Sequence, residues 1–338
     1  MDRGCVNQFP DPNRGKLNGR YNHETLYGLQ DIRSHDGKFY IGGYSGRLFE
    51  LDPEVPTWRN LIVNNHLIGN GGWLSPSGWI YVAGQKYFVE TCSIFRTQDG
   101  STIEYLDLPE TDCEYLTDVW GFSDDDIWAC GTDGYIFHYD GSSWNLMNKS
   151  AGTILRGIWG TDPDNVYIVG DWSTIYHWDG ANLQKEAAPT SGNWYYSAWG
   201  TSRDDIYIVG DYQTIVHYNG TDWSVVMTGG SDEVFNKILG TNMGEMYVMG
   251  EYFLYSFDGS SLTSLGPGVS GVDFVNMEFG PNGKDLYLAN FYGSVFVYSN
   301  DTWHEEVAGT EDGLWDIVVA TNSEFLVGTE VLLEKAIP

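Results

Sequence analysis

Basic residues are scarce in this sequence. Seventeen Lys and Arg (17) stand against 47 Asp and Glu, a formal charge of −30. A surface of that sign repels phosphate backbones and anionic lipid, which excludes nucleic acid as a partner class. No run of about eighteen apolar residues occurs, so there is no candidate for a membrane-spanning helix. The opening Met1-Asp2-Arg3-Gly4-Cys5 is not followed by the apolar stretch of a secretory signal. Cysteine is limited to Cys5, Cys92, Cys113 and Cys130, none at zinc-ligand spacing. Cys92 and Cys113 fall at the two ends of one irregular repeat and are candidates for a disulfide. Cys130 occupies a slot that later repeats fill with Val169 and Val209, and so reads as a small core hydrophobe. A P-loop, a G-x-S-x-G elbow and the second His that a zincin would need after His304-Glu305-Glu306 are all missing.

Aromatic residues and glycine are abundant, with 14 Trp, 23 Tyr and 42 Gly, the composition of aromatic strands separated by tight turns. The strands repeat. Residues 116–140 (LTDVWGFSDDDIWACGTDGYIFHYD), 155–179 (LRGIWGTDPDNVYIVGDWSTIYHWD) and 195–219 (YYSAWGTSRDDIYIVGDYQTIVHYN) align without a gap. The glycine slot runs Gly121, Gly160, Gly200, Gly240, Gly280 and then Ala320, with Ser75 and Ser34 as weaker earlier occurrences. Each unit holds a strand ending in Trp-Gly and a polar turn. A β-branched strand such as Val166–Val169 follows, then a third strand such as Thr174–Trp178. An Asp-Gly or Asn-Gly turn leads into an irregular fourth. Four antiparallel strands per forty residues predict an all-β chain: a single β-propeller over 1–338 with eight four-stranded blades, or seven if the early repeats merge. Residues 27–338 supply the repeats, and 1–26 an N-terminal segment. Its stretch Lys16 to Asn22 is expected to supply the missing fourth strand of the last blade and close the ring.

The run Trp159-Gly160, Val166 to Gly170 and Ile175 to Gly180, with Asn219-Gly220 and Trp223 in the next unit, resembles a bacterial repeat of secreted and surface proteins, particularly of myxobacteria. The resemblance implies a propeller remotely like the sialidase-repeat and WD-repeat types and an extracellular or cell-surface location. It implies no activity, and neither an intact sialidase Asp-box nor an arginine triad is present.

Framework positions recur with the repeat, so recurrent residues that the framework does not need are candidates for function. One such column lies in the turn between the second and third strands: Trp172, Tyr212, Tyr252 and Tyr292, preceded by Asp171, Asp211, Glu251 and Phe291. Turn geometry does not call for large aromatics. A second column lies on the first strand near the same face. It reads Gln30, Gly71, Thr117, Arg156, Tyr196, Asn236, Asn276 and Asp316, and is expected to line a channel mouth with Arg156 as its one cation. Aromatic rings beside carboxylates suit a glycan or a protein partner. The expectation is a non-enzymatic binding or scaffold propeller. The alternatives are a glycoside hydrolase or lyase using acids such as Asp316 and Glu233, and a structural subunit of a surface assembly. His138, His177 and His217 share one slot and read as structural hydrogen-bonding residues. Clusters such as Asp124-Asp125-Asp126 read first as turn formers, with calcium ligation secondary; no cofactor is called for.

Overall fold

The computed structural model describes strands between residues 29 and 336, and side chains between residues 70 and 303 apart from short intervening stretches. The described strands form eight antiparallel sheets in chain order, seven with four strands and the last with three. Their first strands are Leu29–His35, Leu67–Leu74, Leu116–Ser123, Leu155–Asp162, Tyr195–Ser202, Phe235–Gly240, Phe274–Phe279 and Leu314–Ala320. Within each sheet, consecutive strands pair in order. Each first strand packs against the first strand of the next sheet, and Leu314–Ala320 packs against Leu29–His35. The result resembles a β-propeller. The expected closing strand at Lys16 to Asn22 lies outside the described residues.

The cores sit between sheets. Tyr167, Val169 and Ile175 of the fourth sheet pack with Tyr195, Ile206, Ile208 and Val216 of the fifth. The second strand of the fourth sheet is therefore covered on both faces, and Asn165–Gly170 is buried throughout. This is why that strand reads as a continuous apolar run rather than an alternation. The first-strand tryptophan rests on the next unit: a Cβ at Gly200 would lie 3.0 Å from the Trp159 ring. The histidines cross-link strands as expected. His138, His177 and His217 bond to Asp126, Asn165 and Asp205 at 2.7, 2.8 and 2.7 Å. Each stacks on the aromatic of its second strand, Trp128, Tyr167 or Tyr207, at 4.0–4.2 Å.

Register corrects the first-strand column. Arg156 is the extra residue of a bulge, between the pairs Leu155–Gly170 and Gly157–Val169, and Tyr196 and Asn236 hold the same place. In the second, seventh and eighth sheets that place belongs to Asn70, Val275 and Trp315. Asn276 and Asp316 occupy the following position, that of Lys237. The cause is one residue of slippage: Phe279, not Gly280, pairs with Leu286, as Gly240 pairs with Met246. In a strand, one residue exchanges the two faces.

Candidate functional site

Strand direction places the turns between second and third strands at the same end of the sheets as the segments entering each first strand. Backbone hydrogen bonds join the two sets. Asp171 N–H donates to Ile154 O at 2.8 Å, Asp211 N–H to Trp194 O at 3.0 Å and Glu251 N–H to Val234 O at 3.1 Å. Both candidate columns therefore share one face.

The aromatic column is held in an unusual conformation. In the fourth unit Thr174 N–H donates to Asp171 O at 3.2 Å, closing a turn whose central residues, Trp172 and Ser173, have φ of 59° and 54°. The fifth unit repeats it with Tyr212 and Gln213 at 53° and 52°. Such a turn favours Gly, Asn or Asp, and the third unit obeys with Asp133 and Gly134. Trp and Tyr there carry a backbone cost of roughly 1 kcal/mol each. Both rings are nevertheless held at the surface, Trp172 61% and Tyr212 50% exposed. Tyr252 sits in a turn one residue shorter and is 39% exposed. Tyr292 lies outside the described residues.

Two of the acids beside the rings, Asp171 and Asp211, are engaged within the framework. Asp171 is buried and accepts from Arg156 Nε at 2.5 Å. Asp211 Oδ1 accepts from the Trp194 N–H at 3.0 Å and from Asn193 Nδ2 at 3.1 Å. Glu233, an acid of the hydrolase reading, is buried. It accepts from Gln213 Nε2 at 3.0 Å, the Tyr255 hydroxyl at 2.8 Å and the Tyr252 N–H at 3.4 Å. Among the described residues no group of three or more His, Cys, Asp or Glu is placed to hold a metal ion.

The bulge column is largely structural as well. Asn70 Nδ2, Thr117 Oγ1 and Asn236 Nδ2 donate to the carbonyls of Leu116, Leu155 and Phe274 on the next first strand, at 2.8, 2.6 and 3.4 Å. Arg156 and Tyr196 depart from this pattern. The Arg156 guanidinium lies 5.0 Å from the Trp194 ring and 5.0 Å from the Tyr196 ring. Burial raises the Tyr196 phenol pKa above its ordinary value. Arg156 pulls it back, while the carboxylates of Asp211, Asp171 and Glu251 push it further up. Acids from three successive turns thus act on one phenol. Trp194, 38% exposed, joins the face without having been expected. Its signal in the sequence was the run Trp194-Tyr195-Tyr196 opening a strand, where neighbouring units carry a single aromatic or none.

An all-β scaffold of repeated four-stranded sheets, carrying exposed aromatics on one face, defines the class as far as the fold reaches. The chain matches no family model and no curated protein. It is similar to the solved structure of YCF48 bound to D1 peptide, at 13% identity over 93% of each chain and TM-score 0.56. It is also similar to Sqt1 of Saccharomyces cerevisiae, at 12% identity over 93% of this chain and 97% of that one, TM-score 0.70. A third likeness is to the extracellular domain of the one-component-system candidate BT4673 of B. thetaiotaomicron, at 11% identity and TM-score 0.60, with 93% of this chain and 53% of that one covered. At these identities the likeness is one of fold.

Proposed function

We propose that the chain is an eight-bladed propeller of the secreted or surface-displayed bacterial repeat type, completed by a strand from residues 16–22, and that it binds a protein partner through its aromatic face. The observation that carries this reading is the placement of Trp172 and Tyr212, exposed in turns that disfavour them. A residue that costs stability and fills no core is one retained for contact with something else. Three carboxylates and one guanidinium act on Tyr196 at the centre of this set, in a chain of charge −30. That balance favours a segment bearing Lys or Arg, whose cations sit over indole and phenol rings. The peptide complex of YCF48 supports the reading at the level of a shared fold.

The test compares the chain with its Trp172→Ala/Tyr212→Ala variant on arrays of basic and acidic peptides and on a glycan array. Binding to basic peptides that weakens about tenfold or more in the variant, and weakens with salt, is expected. Binding confined to sugars replaces the peptide reading with the glycan one. Binding that the variant leaves unchanged, or no binding at all, removes the face as the site.

A further inference from the structure

Neighbouring units are joined at one recurring slot, the last residue of the turn before the third strand. Its backbone N–H donates into the segment that enters the next unit: Gly134 to Thr153 at 2.7 Å, Ser173 to Asn193 at 2.5 Å, Gln213 to Glu233 at 2.9 Å. Where the slot has a side chain, that side chain adds a second link. Ser173 Oγ accepts from the Asn193 N–H at 3.1 Å, and Gln213 Nε2 donates to Glu233 Oε2 at 3.0 Å.

Register puts Cys92 in this slot of the second unit. It lies two residues before Ile94, which pairs with Ala83, just as Ser173 lies two residues before Ile175, which pairs with Val169. The Cys92 N–H donates to Cys113 O at 3.0 Å, so the backbone link is kept. The two side chains are neighbours in one core, and the Cys92 thiol is the group that most affects the Cys113 thiol. Cys113 is buried in the core shared by the second and third sheets, and Cys92 packs at the edge of that core, partly exposed. The second unit is also the longest. Gly69 and Leu116, equivalent in register, are 47 residues apart (116 − 69), where the following units take 39 or 40. Most of the added length precedes Cys92, and a Cys92–Cys113 closure spans about as many residues as the same link in the neighbouring units.

We infer that Cys92 and Cys113 form a disulfide when the chain meets a disulfide oxidant, stapling the second unit to the third. The thiol of Cys92, the less buried of the two residues, loses its proton, and its thiolate attacks one sulfur of the oxidant, breaking the S–S bond and releasing one thiolate. Cys113 then loses its proton and attacks the Cys92 sulfur, forming the new S–S bond and expelling the second thiolate. Two electrons pass to the oxidant, whose thiolates take up the two protons. The neighbouring Cys92 thiol, and after it burial, holds the Cys113 thiol well above the usual range. Closure is accordingly slow at neutral pH and faster in alkali.

The full chain is incubated with oxidised glutathione at pH 8 and compared with a reduced sample by intact mass, peptide mapping and thermal unfolding. The expected product is lighter by two hydrogens, joins the peptides of Cys92 and Cys113, and melts about 5 °C higher, reversibly with dithiothreitol. Cys113→Ser abolishes the mass change, and Cys5→Ser/Cys130→Ser preserves it. Should Cys113→Ser not fold, the wild-type map decides alone. Retention of all four thiols, or a bond made through Cys5 or Cys130, overturns the inference.

Discussion

Arg156 on the first strand of the fourth sheet and Asp171 in the turn after its second strand form an ion pair, Nε to Oδ1 at 2.5 Å. The carboxylate is nearly enclosed, with its side chain 8% exposed. Removing the cation leaves a buried charge unanswered, so Arg156→Ala is expected to destabilise the chain by about 2 kcal/mol. Asp171→Asn in the same background recovers part of the loss. Urea denaturation of the two single variants and the double variant checks this. A double variant as unstable as the sum of the singles contradicts the coupling.

Trp172→Asn relaxes the backbone. Asn accepts positive φ more readily than Trp, and the exposed indole contributes no core contact, so stability rises by about 0.5–1 kcal/mol. Binding to the partner falls in the same variant. Opposite signs in denaturation and in binding separate a functional residue from a structural one.

The Tyr167 hydroxyl is buried and has no hydrogen-bond partner. Tyr167→Phe deletes an unsatisfied polar group and keeps the ring stacked on His177. The change is expected to be neutral or stabilising by up to about 1 kcal/mol, measured by urea denaturation. The indoles of Trp128 and Trp144 are unsatisfied in the same way, but replacing them would also remove core volume.

Gly157 sets the spacing between the fourth and fifth sheets. A Cβ there would lie 2.6 Å from the Tyr196 carbonyl oxygen, a backbone atom that cannot turn aside. Gly157→Ala is expected to cost about 3 kcal/mol and to displace Tyr196. A fall in midpoint denaturant concentration and loss of near-ultraviolet dichroism report it.

Acid exposes a further dependence. Burial alone would raise the pKa of Glu186, but hydrogen bonds from His177 and Trp223 hold it below the ordinary glutamate value. A folded pKa below the unfolded one contributes stability that is complete above ~4.3 and is lost as pH falls through the folded value. Stability measured from pH 6 to pH 3 should fall less steeply in Glu186→Gln than in the parent chain. Equal slopes would show that the His177–Glu186 contact, 3.0 Å long, is not maintained in solution.

Much of the architecture was legible because the chain supplies its own comparisons. Three ungapped units revealed the strands, the Asp-Gly turns and the structural histidines. The same alignment, carried forward by one repeat, exposed Trp172, Tyr212 and Tyr252 as residues that the turn does not require. Trp194 escaped notice because it occurs in one unit only, and a column with one member has no pattern. The first-strand column was legible at Thr117, Arg156, Tyr196 and Asn236, was one residue off in the second, seventh and eighth sheets, and was not legible in role. Asn70, Thr117 and Asn236 find their carbonyl acceptors about forty residues away, on a neighbouring sheet.

The sequence by itself determined what depends on local chemistry: strands from β-branched and aromatic runs, turns from Gly and Asp, and the sign of the surface from the excess of acids. Tertiary structure decided what depends on register and enclosure. A one-residue slip, invisible in composition, moved the bulge from Asn276 and Asp316 to Val275 and Trp315. Donors from other segments make Asp171, Asp211 and Glu233 supports for the loops that hold the aromatic face, where the sequence showed only acids beside rings and, in Glu233, an acid of the hydrolase reading. A carboxylate's role is set by which donors surround it, and those donors come from distant parts of the chain.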